Sequence, residues 1–192
     1  MLCSPTRPPV RGPPPTHRAS AGVASDGALA GFTFRAGQEA DGADIRALVL
    51  SEKLNPLGLE PSRFTVAEAI EAGADSAVAG AVQAVCLAPA SASASADGGA
   101  WELRSLVVAP QHRGKGLGSA LVRRQLAALP PSAACWLTTV ERRTGFYERL
   151  GFKRRALTEA PGPMAFEVAA GLVVARVLAG QQLVLLSQER AK

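Results

Sequence analysis

The stretch VVAPQHRGKGLGSALV, residues 107–122, sets glycines at 114, 116 and 118, with Arg113 and Lys115 beside them. The order reads strand, proline, glycine loop, helix. A helix N-terminus leaves backbone N–H groups without partners and carries partial positive charge. Phosphate oxygens fit such a place. Glycines let the backbone take positive φ and approach a ligand without a Cβ. Successive N–H groups can then form an anion-binding concavity. The chemistry expected is capture of an anion by main-chain amides, with Arg113 and Lys115 adding charge at the rim. The competing reading is a glycine-rich turn with ordinary surface cations.

Two familiar anion motifs fail here. Ala109 stands where the first glycine of GxxxxGK[ST] belongs, and Gly116 follows Lys115. Ser119 stands where the last glycine of GxGxxG belongs. His112 lies within the loop and reads as a solvated residue. With only one other histidine, His17, and with Cys3, Cys86 and Cys135 far apart, no metal is expected. The formal charge of +5 is modest, and no long basic run follows residue 31, so no nucleic-acid partner is expected. Val168 to Leu186 is the most apolar stretch, but Arg176, Gln181 and Gln182 interrupt it, so no membrane span is expected.

Elements must position the loop. FTFR, 32–35, alternates like a strand. Asp41 or Asp44 can cap a helix carrying Ile45, Leu48, Val49 and Leu54. NPLGLEP, 55–61, ends that helix and starts a loop or short second helix. Residues 63–68 and 76–89 read as strands, and the low-complexity run 90–99 as a mobile loop of a hairpin whose second strand is 101–108. The helix after the glycines has Leu117, Leu121, Val122, Leu126 and Leu129 on its apolar side and stops at Pro130 and Pro131. Residues 134–140 form a strand and 141–150 a short helix pairing Phe146 with Leu150. Gly151 fits a left-handed C-terminal cap, and Phe152 opens another strand. A possible helix around 165–178 leads to a strand at 183–186. With 192 residues, the chain suits one α/β domain with a sizeable core.

The run Arg113-Gly114-Lys115-Gly116-Leu117-Gly118 fits RxxGxG, and TTVERRTGFYERLGF, 138–152, fits a helix end written FYxxLGF. On these two motifs the chain resembles the GNAT superfamily of acyl-CoA-dependent N-acetyltransferases, over roughly residues 32–187. The resemblance implies the GNAT fold, an α/β (α+β) architecture. Its mixed, mostly antiparallel sheet has about six or seven strands flanked by helices, with a splayed central strand pair. NPLGLEPSRFTVAE, 55–68, with ELRSLVV, is most similar to a plant and cyanobacterial branch. Val140 departs from the asparagine that many members carry there, and a valine side chain offers no polar contact to the cofactor.

The resemblance implies direct acetyl transfer from acetyl-CoA to an amine. Leu106, Val107, Val108, Arg113, Gly114, Lys115, Gly116, Leu117, Gly118, Ser119 and Phe146 would bind the cofactor. Backbone N–H groups near Val107 and Val108, where the family's strand bulges, would meet the thioester oxygen, although both valines suit the core equally. Tyr147, the sole tyrosine, would give the departing thiolate its proton; otherwise it is a packing residue. Glu102, opposite Leu103 by the period of two, is either the base that activates the amine through water or a surface partner of Arg104. A lysine amine with pKa ~10.4 costs about 4 kcal/mol to deprotonate near pH 7.4, whereas an α-amine at ~7.7–8.0 costs well under 1 kcal/mol.

Protein N-termini, lysine side chains or both are therefore the expected acceptors. A small amine or amino acid is an alternative, its carboxylate met by Arg63, Arg154 or Arg155. A non-catalytic acyl-CoA-binding module is another. The substrate side would be built by residues 51–63 and 156–166, and a monomer or weak dimer is expected. Residues 1–31 hold Arg7, Arg11 and Arg18, six prolines by Pro15 and no acid before Asp26. That composition reads as a disordered transit peptide, for the chloroplast before the mitochondrion because proline opposes an amphipathic helix. A disordered proline-rich tail is the alternative. Residues 188–192 read as a tail.

Overall fold

The computed structural model describes residues 29–70, 77–88, 99–164 and 182–189. The expected transit segment up to residue 28, the loop at 90–98 and the helix around 165–178 lie outside the described residues. Packing begins before Phe32: Leu29 is buried in the core, and the Ile70 N–H donates to the Gly31 carbonyl at 2.8 Å.

Seven strands form one sheet: β1 (Phe32–Ala36), β2 (Phe64–Ala69), β3 (Val78–Ala88), β4 (Ala100–Val108), β5 (Ala134–Val140), β6 (Lys153–Arg155) and β7 (Leu183–Glu189). Their spatial order is β1-β2-β3-β4-β5-β7-β6, and every neighbouring pair is antiparallel except β4 and β5. Helix α1 (Gly42–Ser51) follows β1, α2 (Leu117–Ala128) links β4 to β5, and α3 (Glu141–Glu148) follows β5.

The parallel pairing of β4 with β5 covers Ala100–Glu102 against Ala134–Trp136 and then stops. Beyond it the strands separate, which is the splayed central pair expected from the sequence. The β3–β4 ladder is also irregular. Ala81 pairs with Val107 and Gln83 with Arg104, so Ser105 and Leu106 together oppose Val82. This is a β-bulge, and Ser105 takes the left-handed φ of +56° that non-glycine residues seldom adopt. The extra residue reverses the side-chain alternation. Leu103 packs in the core that holds Leu121 and Leu126 of α2, whereas Val107 joins Ile45 and Val49 of α1 on the other face. In a regular strand residues 103 and 107 would share a face.

Helix α1 lacks the expected cap. No side-chain hydrogen bond caps it, and Asp41 instead accepts the Gln38 N–H and both Arg35 Nη atoms, at 2.7 Å each. Arg35 also reaches Glu68, which ties β1 to β2 and to the turn before α1. Leu54 falls beyond the helix end. Gly151 has φ +93°, and the Phe152 N–H donates back to the Tyr147 carbonyl, as expected for the end of α3. β7 runs to Glu189, two residues past the expected domain end.

Candidate active site

Gly114 and Gly116 have φ of +75° and +82°, which explains glycine at both positions. Gly118 differs from the expectation. It lies inside the first turn of α2 without positive φ, and a Cβ there would stand 3.6 Å from the Phe146 ring, an ordinary contact. The first bond of the α2 turn runs from the Ala120 N–H to the Gly116 carbonyl. Among the described residues, no N–H from Gly114 to Ser119 donates to any protein group. Six consecutive donors at a helix start are therefore available to an anion, and the site residues fit a diphosphate.

A cavity of about 480 Å³ opens in front of these donors. Leu106, Val107 and Val108 of β4 form one wall, and Phe146, Tyr147 and Arg143 of α3 another. Of the expected cofactor residues, Lys115 alone does not line it. Arg113 lines it but is already engaged. Its Nε donates to the Val108 carbonyl at 3.0 Å, and its Nη2 pairs with Glu52 just beyond α1. Its charge is thus partly matched by Glu52 rather than wholly available at the rim. His112 is packed rather than solvated: its ring meets Phe32 edge-on at 5.3 Å, and its Nδ1 is buried without a hydrogen bond among the described residues.

The two valines expected to offer N–H groups face opposite ways. The Ala109 N–H donates to the Ala79 carbonyl of β3, so residue 109 turns toward β3. By the alternation of a strand, Val107 does the same and Val108 turns away, into the gap. The Val108 carbonyl, which points to the same side as its N–H, accepts from Arg113.

Tyr147 sits between two cavities. The second, about 230 Å³, is lined by Leu54, Leu103 to Leu106, Thr138 to Val140, Arg143, Tyr147 and Leu183. Leu106, Arg143 and Tyr147 line both. The Tyr147 ring contacts Phe146 and Phe152 edge-on at 4.9 and 5.9 Å. Burial pushes its phenol up to about 12, and the Arg143 cation offsets part of that shift. The group is therefore protonated throughout the neutral range.

Glu102 is 4% exposed and lines neither cavity. It pairs with Arg104 at 3.5 Å and lies opposite Trp136 in the ladder. The structure brings Tyr147 and the glycine loop together but leaves Glu102 outside. It also leaves out Arg63, Arg154 and Arg155. Arg63 pairs with Glu60, Arg154 with Glu141 and Glu148, and Arg155 bonds Ser187. Sequence reasoning missed Arg104, Ser105 and Arg143 as wall residues. The bulge that turns Ser105 toward the gap has no glycine to announce it. Val140 does line the second cavity, at the position where the resemblance leads one to expect asparagine.

Residues 60–154 match a protein-family model, the acetyltransferase (GNAT) domain. Solved structures share the fold at low identity. One is N-acetylglutamate synthase from Neisseria gonorrhoeae complexed with coenzyme A and N-acetyl-glutamate, with 15% identity and a TM-score of 0.61. The match covers 84% of this chain but 35% of that one, so this chain spans about a third of that protein's length. Another is Rv2747 from Mycobacterium tuberculosis in complex with CoA, with 22% identity, a TM-score of 0.57, and coverage of 81% and 99%. A third is Arabidopsis thaliana Naa50 in complex with the bisubstrate analogue CoA-Ac-MVNAL, with 12% identity, a TM-score of 0.55, and coverage of 83% and 99%.

Proposed function

We propose, from the acetyltransferase (GNAT) domain that residues 60–154 carry, that this chain transfers acetyl from acetyl-CoA directly to an α-amine, with protein N-termini and then lysine side chains as acceptors. The observation that carries the reading is the placement of Tyr147, Leu106 and Arg143 on the shared wall of two cavities. One cavity ends at the free N–H groups of residues 114–119, and the other lies in the gap between residues 103–106 of β4 and 138–140 of β5. A donor and an acceptor held in these two cavities would meet at the phenol. Solved neighbours complexed with coenzyme A support the choice of co-substrate.

Each protein group then has a task. The N–H groups of Gly114–Ser119 hold the diphosphate. The Val108 N–H, turned into the gap, donates to the thioester oxygen as negative charge develops, a contribution of about 3 kcal/mol for a pre-aimed donor. The amine nitrogen forms a bond to the acyl carbon as the carbon–sulfur bond breaks. The proton shed by nitrogen ends on sulfur. The Tyr147 hydroxyl donates toward the sulfur and regains a proton from the nitrogen side, so it finishes unchanged. No carboxylate or imidazole of the described residues lines the second cavity. That suits the α-amine of a peptide, about half of which is already neutral near pH 8.

Mass spectrometry of amine acceptors incubated with the protein and labelled acetyl-CoA tests the reading. The expected product carries one acetyl group on an α-nitrogen. Absence of transfer across peptides, lysine derivatives and small amines overturns it. Chloroplast import directed by residues 1–31 belongs to the same proposal and rests on their composition. A fluorescent fusion of that segment that stays outside plastids would refute it.

A further inference from the structure

We infer that the second cavity selects an acceptor that carries a carboxylate close to its amine, held between Arg104 and Arg143. This deepens the transferase reading and rests on it. The wall of that cavity is rich in donors. Arg104 and Arg143 supply guanidinium groups, and Ser105, Thr138, Thr139 and Tyr147 supply hydroxyls. No Asp or Glu of the described residues lines it.

The two arginines enter from different elements. Arg104 projects from β4, steered by Glu102 at 3.5 Å, and its Nη2 lies 3.9 Å from where a Gly58 Cβ would stand, beneath the 55–60 loop. Arg143 projects from α3, one turn before Tyr147, and has no acidic partner among the described residues. Ser105 adds a third donor. Buried Gln83 donates its amide to the Ser105 oxygen at 3.3 Å, which leaves the hydroxyl hydrogen to point elsewhere. The left-handed backbone of the bulge is what sets that hydroxyl in the wall.

Planar guanidinium groups bind carboxylates well, in paired hydrogen bonds. Arg143 disfavours an ammonium nearby, more than Arg104, whose charge Glu102 partly matches, and so helps keep the bound amine neutral in a cavity without a base. A volume of about 230 Å³ is smaller than the 300–1,000 Å³ typical of larger ligands. It accommodates a free amino acid or the first residue of a peptide, and both can present the required carboxylate.

The experiment compares acceptors with and without a carboxylate, each rate referred to the concentration of neutral amine because a neighbouring carboxylate raises the amine pKa: alanine against alaninamide, and amidated Glu-Ala-Ala against amidated Gln-Ala-Ala. Steady-state transfer is measured for wild type, Arg104→Gln, Arg143→Gln and Arg143→Glu, with melting temperature and acetyl-CoA affinity as controls. At least one carboxylate member is expected to have a kcat/KM tenfold or more above its amide, mostly through KM. The alanine pair identifies a free amino acid as the source, and the Glu-Ala-Ala pair an acidic peptide end. Arg143→Gln should shrink the preference below threefold, and Arg143→Glu should reverse it. Equal use of amides, or a preference that survives in both Arg143 variants and in Arg104→Gln, overturns the inference while the transferase reading stands. No transfer to any acceptor, amides included, overturns the transferase reading and this inference with it.

Discussion

Arg113 donates from Nε to the Val108 carbonyl at 3.0 Å. The contact fastens the glycine loop to the strand that lines the gap. Glu52 holds the other end of the same guanidinium, so the loop is also fastened to the end of α1. Arg113→Ala should loosen this arrangement. A charged donor bonded to a carbonyl contributes about 1.5–3 kcal/mol, and an exposed ion pair about 0–1 kcal/mol. Partial solvation lowers the sum, so acetyl-CoA affinity should fall roughly three- to tenfold. Calorimetric titration would read the change, and unchanged affinity would remove the latch.

The glycines should not be equivalent. Gly116→Val places a β-branched residue at φ +82°, at a cost of about 1–3 kcal/mol, and puts a side chain where the proposed diphosphate would approach. A lower melting temperature and loss of measurable coenzyme A binding are expected. Gly118→Ala meets Phe146 at ordinary contact distance and needs no unusual backbone. Its melting temperature should match or slightly exceed wild type, since alanine favours helix by about 1 kcal/mol.

Tyr147 can be watched directly because the chain contains one tyrosine. Ultraviolet titration should show phenolate forming near pH 12 in the folded protein and near 10 after denaturation. The folded value is the higher one. Stability tied to this group is therefore intact below pH 10 and is lost as pH rises toward 12, by about 3 kcal/mol in all. Tyr147→Phe should lack that alkaline loss. Its kcat should drop by about 10²–10⁴-fold with little change in KM, as for loss of a proton donor. A folded-state midpoint near 10 would show that the ring is not held in a desolvated place.

The Arg35 cluster predicts an acid response. Arg35, ahead of burial, sets Asp41 below its ordinary value of 3.8. A carboxyl lowered on folding stabilises above that value and loses its contribution as pH falls through the lower folded one. Asp41→Asn should cost about 1–3 kcal/mol at pH 7. The gap from wild type should narrow below about pH 4, as followed by urea denaturation across pH. A constant gap would mean that Asp41 acts through shape rather than charge.

Much of this site can be read from residues close together in the chain. The glycine spacing, the cations beside it and the FY pair lie within short segments, and local backbone rules govern them. Glu102 shows where such reasoning stops. Period two correctly sets it opposite Leu103, but the face on which that puts it depends on what lies across the sheet. The bulge at Ser105 is the reason that 103 and 107 part ways, and Ser105 carries no sign of it. Arg104 and Arg143 are 39 positions apart in number yet line one cavity because strands β4 and β5 diverge, a fact set by the whole sheet. Arg63, Arg154 and Arg155 were plausible anchors by type, yet each finds a nearer acid or hydroxyl.

The three-pair seam between β4 and β5 divides the molecule mechanically. Strands β1–β4 with α1 and α2 make one leaf, and β5, β7 and β6 with α3 make the other. Beyond the seam the leaves still meet through the core, where Leu137, Phe152 and Leu186 join Leu121 and Leu126, and a ligand in the cleft would add a further bridge. In the proposed complex a thioester would touch the α2 loop on one leaf and Tyr147 on the other, and so act as a clasp. Amide exchange in β5 and β7 should therefore slow on coenzyme A addition, even at residues the ligand never reaches.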